Sequence, residues 1–200
     1  MNRHDYYERR DRIETPRLWL RPMCEDDAEM VVAWRNDPSA AAMFFSSPPT
    51  LEEHRRWFAS PRRGRADYVI IRRDESRPIG VVNFKDISES NRQAEAGKLL
   101  GDHASRGQGM AKEAFAAWLY YGLYDLGIRQ TVVRTRQDNE ANIHLNRRLG
   151  FEVVDRINQR AADGQTCTFL VMHLDVRSLL ERPYMRDLLP SIRRGKNARR

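Results

Sequence analysis

The chain has only two cysteines, Cys24 and Cys167, in 200 residues. They stand far apart, in no Cys-x-x-Cys pair, and the five histidines form no zinc-ligand spacing with them. A disulfide framework and a structural metal are therefore not expected, and a reducing compartment is the default. Long apolar runs are absent too, since none approaches the roughly 20 residues of a membrane span. The opening stretch MNRHDYYERRDRIE lacks the apolar segment of a secretion signal. These absences point to a soluble, cytoplasmic protein without a membrane partner. Internal repeats and long linkers are missing as well, which leaves one domain.

Charge is plentiful, but unevenly placed. Of 35 Lys and Arg, five lie in the last eight residues: Arg193, Arg194, Lys196, Arg199 and Arg200. The remaining 30 face 28 Asp and Glu, a net of only +2. The pI of about 9.8 thus reports the terminus more than the body, and a nucleic-acid-binding core is not indicated. Nucleic acid would be met, if at all, through the tail.

The pattern predicts a flexible segment 1–14, then a strand at 17–23, where Leu18 and Leu20 alternate with charged neighbours. A helix follows to Asn36-Asp37-Pro38, and a second is opened by a capping box in Thr50-Leu51-Glu52-Glu53. Strands are expected at 67–73, 78–87 and 91–102, the last with Gly97 hinting at a close backbone approach. A long apolar helix starts after Gly109 and stops at Gly127. A strand (QTVVRTR), a helix (DNEANIHLNRRLGF) and a strand pair turning at Asp163-Gly164 come next. The domain proper would span 15–175, followed by a short helix at 176–189 and a disordered basic tail at 190–200. This order predicts an α+β fold with a mixed, mostly antiparallel sheet and helices on both faces.

The stretch ASRGQGMAKEA, residues 104–114, places two glycines at the mouth of the long helix. Unpaired amides and the helix dipole there favour an anion. The Lys-Ser/Thr ending of a P-loop is missing, and Lys112 occupies the place of a dinucleotide loop's third glycine. On these residues alone, a phosphate cradle and a ligand-free helix entry both remain open.

RGQGMAKEA resembles the acyl-CoA pyrophosphate loop of the GNAT superfamily of N-acetyltransferases, with Arg106, Gly109 and Ala111 in its fixed places. TPRLWLRPMCEDDAEMVVAWRNDP resembles the opening of the ribosomal-protein-alanine-acetyltransferase-like branch, and DNEANIHLNRRLGF the later asparagine-bearing helix. The resemblance implies two central strands that splay into a V and a co-substrate, acetyl-CoA. It implies backbone contacts to the pantetheine arm from Leu99, Leu100 and Gly101, and pyrophosphate contacts from Arg106, Gly107, Gln108, Gly109, Met110 and Ala111. Asn139 would meet the pantetheine or cap its helix, or both. Arg147 and Arg148 are either adenosine-phosphate ligands or a solvated helix face.

Glu95 is expected as the base that takes a proton from the acceptor amine. The tyrosine that often protonates the leaving thiolate would fall at 146, where this chain has Asn146. Asn146 then only orients the sulfur, or water supplies the proton. For the acceptor, residues 34–58 resemble enzymes acting on nucleotide-linked amino sugars, with Arg35, Asn36, His54 and Trp57 as contacts. Core packing is the competing use of the aromatics. Other readings are an N-terminal acetyltransferase of a ribosomal protein, a small-molecule amine acetyltransferase, and a non-catalytic module binding acyl-CoA or RNA. The chain is expected as a monomer or homodimer.

Overall fold

The structure is a computed structural model that describes residues 11–44, 46–61, 63–160 and 164–196. Among these, nine strands form one sheet: β1 (Asp11–Glu14), β2 (Leu18–Pro22), β3 (Ala66–Arg72), β4 (Arg77–Ser88), β5 (Gln93–Leu100), β6 (Gln130–Arg136), β7 (Glu152–Arg160), β8 (Thr166–Asp175) and β9 (Arg193–Lys196). Their order is β7-β8-β6-β5-β4-β3-β2-β1-β9. Every neighbouring pair is antiparallel except β5–β6, which a helix crossover connects in parallel. The helices are α1 (Ala28–Asn36), α2 (Pro38–Ala41), α3 (Leu51–Ala59), α4 (Met110–Asp125), α5 (Glu140–Leu149) and α6 (Pro183–Leu188).

The sheet separates two cores. On one face α1 and α3 cover Val69, Ile71 and Val81, with Trp34, Trp57 and Leu99 at the margin. On the other, α4 lays Phe115, Trp118, Leu119 and Tyr121 over Tyr68, Val82 and Phe84. Strand alternation decides which residue meets which layer. Along β5, Ala94, Ala96 and Leu100 belong to the α4 face and Leu99 to the α1/α3 face.

Three expectations for the termini need correction. Residues 11–14 are not loose. They form β1, anchored by the fully buried Ile13. The basic segment is not a free tail up to residue 196, because Arg193–Lys196 pair with β1 as β9. Arg194 there bonds Asp125 at 2.6 Å. The helix expected at 176–189 is split into a 3-10 segment, Val176–Glu181, and α6, because Arg182 is extended before Pro183. Residues 1–10, 197–200 and Asp163 of the expected hairpin turn lie outside the described residues.

At Gly122 an added Cβ would stand 2.6 Å from Phe84, which is fully buried and stacked on Trp118 at 4.7 Å. The ring has nowhere to go. Gly122→Ala should therefore destabilise the protein by about 1–2 kcal/mol despite alanine's better helix propensity, read as a lower urea midpoint with an unchanged m value.

Candidate active site

The parallel ladder between β5 and β6 is short. It joins Gln93, Ala94 and Glu95 to Gln130, Thr131 and Val132, and then stops. β5 continues along β4 to Leu100, while β6 continues along β8 to Arg136. The two strands therefore part, and residues 96–100 show β6 an edge with no ladder partner. Such an edge offers donors and acceptors to an extended, amide-bearing ligand.

Charge pins the vertex of this fork. Glu95 on β5 bonds Lys85 of β4 at 2.8 Å and also Arg134 of β6. One carboxylate thus holds three strands where they begin to diverge. The geometry gives Glu95 the part of a strut, with its charge already compensated, rather than that of a free base.

Further up the fork, on the α4 face, a polar chain crosses the gap. Lys98 Nζ donates to Asn146 Oδ1 at 2.6 Å and lies 4.0 Å from the centre of the Phe115 ring. Asn146 Nδ2 donates to Thr135 Oγ1 of β6 at 3.4 Å and to Met172 Sδ at 3.8 Å. Asn142 Nδ2 donates to the same Thr135 oxygen at 3.0 Å. Asn146 is 0% exposed. Lys98 is half-buried, with its ammonium between Asn146 and the Phe115 ring, and burial pushes its pKa down to about 7. Sequence reasoning missed Lys98. The available signal was its register: in QAEAGKLL it continues the inward series of Ala94 and Ala96.

The glycine loop opens α4 beside the fork. Gly107 and Gly109 both adopt left-handed backbone, φ +75° in each. Gly109 is the residue from which the helix starts. The amides of Gly107, Gln108 and Gly109 meet no acceptor among the described residues, and those of Met110 and Ala111 belong to the unpaired first turn. Arg106 differs from expectation, because its amide already donates to the His103 carbonyl at 3.1 Å. Its guanidinium reaches Ser39 Oγ at 3.3 Å.

Cations collect here. Arg17 donates to the Gln108 carbonyl at 2.8 Å and bonds Glu113 at 2.7 Å. Glu113, 3% exposed, also accepts from Thr15 Oγ1 at 2.6 Å and from the Arg17 amide at 3.0 Å. Lys112 sits 3.7 Å from the centre of the Tyr184 ring, and burial, then Arg148, then Arg17 lower its pKa. Arg148 thus lies near enough to Lys112 to act on its charge. Arg17 and Glu113 went unnoticed in the sequence because 96 residues separate them.

The remaining expected residues distribute as follows. Leu99 and Leu100 lie on the parted section of β5. Gly101 follows it, and its amide donates to the Ile79 carbonyl at 3.0 Å, so it is not an open donor. An added Cβ there would be 2.1 Å from the Trp34 ring. Asn139 caps α5, accepting from the Asn142 amide at 3.1 Å. Arg35 stacks on Phe44 at 4.2 Å and reaches Ser46 Oγ at 3.4 Å. Asn36 instead tethers α1 to the approach to α3, donating to the carbonyls of Val32 at 2.8 Å and Pro49 at 3.2 Å. It borders a separate open groove of about 380 Å³ with Glu29, Val32 and Pro49, away from the fork. His54 is 7% exposed, with its ring centre 5.1 Å from that of Trp57, so packing rather than an open wall accounts for it. No metal-binding cluster and no helix long and apolar enough to cross a membrane occur among the described residues.

A parted parallel pair beside a left-handed glycine loop is the arrangement the sequence resemblance implied. Residues 17–152 match the Acetyltransferase (GNAT) domain. The chain belongs to the GNAT acetyltransferase family. It is 29% identical over 148 residues to the uncharacterized N-acetyltransferase YoaA of Bacillus subtilis, covering 70% of this chain and 82% of that protein. It is 28% identical over 143 residues to an uncharacterized protein of Methanocaldococcus jannaschii, covering 70% of this chain but only 29% of that protein's length. It is 33% identical to the ribosomal-protein-serine acetyltransferase of Escherichia coli over 84 residues, 42% of this chain and 45% of that one. In fold it matches the spermidine N-acetyltransferase of Vibrio cholerae, solved with CoA and spermine. That match has a TM-score of 0.74 at 18% identity over 82% of this chain and 98% of that chain. GNAT enzymes are acyltransferases that use acetyl-CoA. The residues present suit it: open amides and cations for a pyrophosphate, and an unpaired strand edge for an amide-bearing arm.

Gly109→Val should weaken CoA binding at least about tenfold and cost about 1–2 kcal/mol, because a branched side chain is strained in left-handed backbone. Calorimetric titration with CoA and thermal unfolding check both. Lys98 makes stability pH-dependent. Its folded pKa lies below the unfolded value, so between about pH 7 and about pH 10 the unfolded chain holds more protons, and stability rises with pH. Lys98→Met should be more stable than wild type below pH 7, with the gap closing as pH rises through that window. Denaturant titrations across pH measure it.

Proposed function

We propose that this GNAT enzyme moves the acetyl group of acetyl-CoA to a primary amine on an acceptor that also carries an anion, a nucleotide-linked amino sugar being the favoured member of that class. The observation that carries the reading is Arg35. No carboxylate pairs with it among the described residues, and its Nε is buried without a hydrogen-bond partner. Burial, then the neighbouring Arg65, lower its pKa. Two guanidiniums held close, one of them lacking a counter-ion, suit an anionic group. Arg65 lies 5.2 Å from the centre of the Trp57 ring and bonds Asp67 at 3.0 Å, so an apolar surface flanks the charge.

The geometry supports a direct transfer. The amides of Gly107 to Ala111, with Arg17 and Lys112, would hold the pyrophosphate. Leu99 and Leu100 would offer backbone groups to the pantetheine arm, and Asn139 its remaining amide hydrogens. An amide on the open edge of β5 would stabilise the oxyanion formed when the amine attacks the thioester carbonyl. Glu95 keeps the vertex closed, and it could accept the amine proton only by loosening from Lys85 and Arg134.

A second reading, acetylation of a protein N-terminus, draws on the similarity to the E. coli ribosomal-protein-serine acetyltransferase. The polyamine substrate class of the Vibrio cholerae neighbour fits less well, because a polycation would meet Arg35 and Arg65.

Thiol release from acetyl-CoA with a panel of amino-sugar nucleotides, spermidine, ribosomal N-terminal peptides and small neutral amines tests the proposal. Amino-sugar nucleotides should turn over best, and Arg35→Met should raise their KM at least about tenfold with little change in kcat. Preferred turnover of spermidine or of peptides alone would contradict it.

A further inference from the structure

We infer that Lys98 is the general acid of this enzyme: its ammonium protonates the departing CoA thiolate, and Asn146 is the positioning residue that aims it. The inference rests on the family's acyl-CoA chemistry and takes from the acceptor proposed above only the side from which it approaches.

Lys98 lies on the section of β5 that has left β6, so its side chain leaves the strand inside the fork rather than on a solvated surface. The side chain projects to the α4 face, opposite the layer that carries Arg35 and Trp57. An acceptor approaching from the α1/α3 layer and a proton donor on the α4 layer would therefore flank the reacting carbon from two sides. That separation suits a group acting on the leaving sulfur rather than on the attacking amine.

Its surroundings leave it little else to do. β4 presents Val82 opposite it, α4 presents Phe115 and α5 presents Asn146. Among the described residues no carboxylate neutralises it, and no neighbouring ionised group contributes to its proton affinity. An ammonium buried without a counter-ion is costly as a structural element alone. A methionine or leucine would fill the same space without that cost. The single polar contact, Asn146 Oδ1, is itself oriented by Thr135 and Met172, so the donor is held in place from β6 and β8. The pKa of about 7 lets the group give up a proton and regain it near neutrality.

The amine nitrogen bonds to the thioester carbon, and the carbon–sulfur bond breaks with its electron pair going to sulfur. A proton passes from Lys98 Nζ to that sulfur. The proton shed by the new amide nitrogen goes to water, and water recharges the neutral Lys98 amine. Nothing is oxidised or reduced.

The test uses the full-length protein with CoA and needs no acceptor. The ultraviolet absorbance of the thiolate is titrated with pH for CoA bound to wild type and to Lys98→Met. Thermal unfolding confirms that the variant is folded, and titration calorimetry gives its CoA affinity. At about pH 6–7, where Lys98 still holds its proton, bound CoA should show about tenfold more thiolate in wild type than in the variant, while CoA affinity stays within about threefold. Equal thiolate fractions in the two proteins over that range would overturn the inference. So would a loss of CoA affinity of more than about tenfold, which would make Lys98 a binding residue. Once an acceptor is in hand, Lys98→Met should lower kcat at least about a hundredfold and remove the alkaline fall of kcat near pH 7. Unchanged kcat would overturn the inference equally.

Discussion

The structure turns on one hydrogen-bonding constraint: the β5–β6 ladder ends after Glu95 and Val132, and nothing in the described chain closes the gap above it. A parallel pair in the middle of a sheet ordinarily continues, because each unmade ladder bond leaves a donor or acceptor wanting a partner. Here the strands are committed to other neighbours, β5 to β4 and β6 to β8, and they diverge as those ladders twist apart. The Lys85–Glu95–Arg134 triad keeps the divergence from travelling back toward Gln93. The Lys98–Asn146–Thr135 chain spans it higher up. What lies between is the unpaired edge of β5, with Phe115 beside Lys98 on its α4 side.

The two faces of the sheet then acquire different work. On the α4 side, left-handed glycines, the first turn of α4 and the cations Arg17 and Lys112 gather around one loop. Glu113 ties that loop to the segment around Thr15, so the loop is braced by residues distant in sequence. The α1/α3 side carries the guanidiniums of Arg35 and Arg65 beside aromatic rings. Carboxylates neutralise Arg17 and Arg65 but not Arg35, and this contrast is why Arg35 carries the acceptor proposal. Under the function proposed above, an anion would lie on each side of the sheet, with the reacting carbon at the fork between them.

Much of this was legible in the sequence, for identifiable reasons. The glycine loop is local, and its left-handed residues are the ones only glycine adopts cheaply. The Asn139 cap and the Thr50–Glu53 box are also local and appear as expected. What escaped was non-local. β1 and β9 carry almost no apolar signal, because Ile13 alone reaches the core from DRIE and RRGK is held by backbone pairing and by Arg194 on Asp125. Lys98 reads as an ordinary surface lysine until the register places it opposite Phe115. Glu95 looked like a base while its two cationic partners, ten and 39 residues away, were out of view. His54 looked like a contact residue because burial within α3 is not visible in a short amphipathic stretch.

In the function proposed above, the fork and the adjoining glycine loop act as one co-substrate site. Amide hydrogen exchange with and without CoA tests it most directly, since exchange reports individual backbone donors. The account predicts slowed exchange in residues 96–100 of β5 and 107–111 at the start of α4, with the amide of Gly101, already bonded to Ile79, little changed. Protection confined to the α1/α3 layer or to the β7–β8 hairpin, with the fork unaffected, would contradict it.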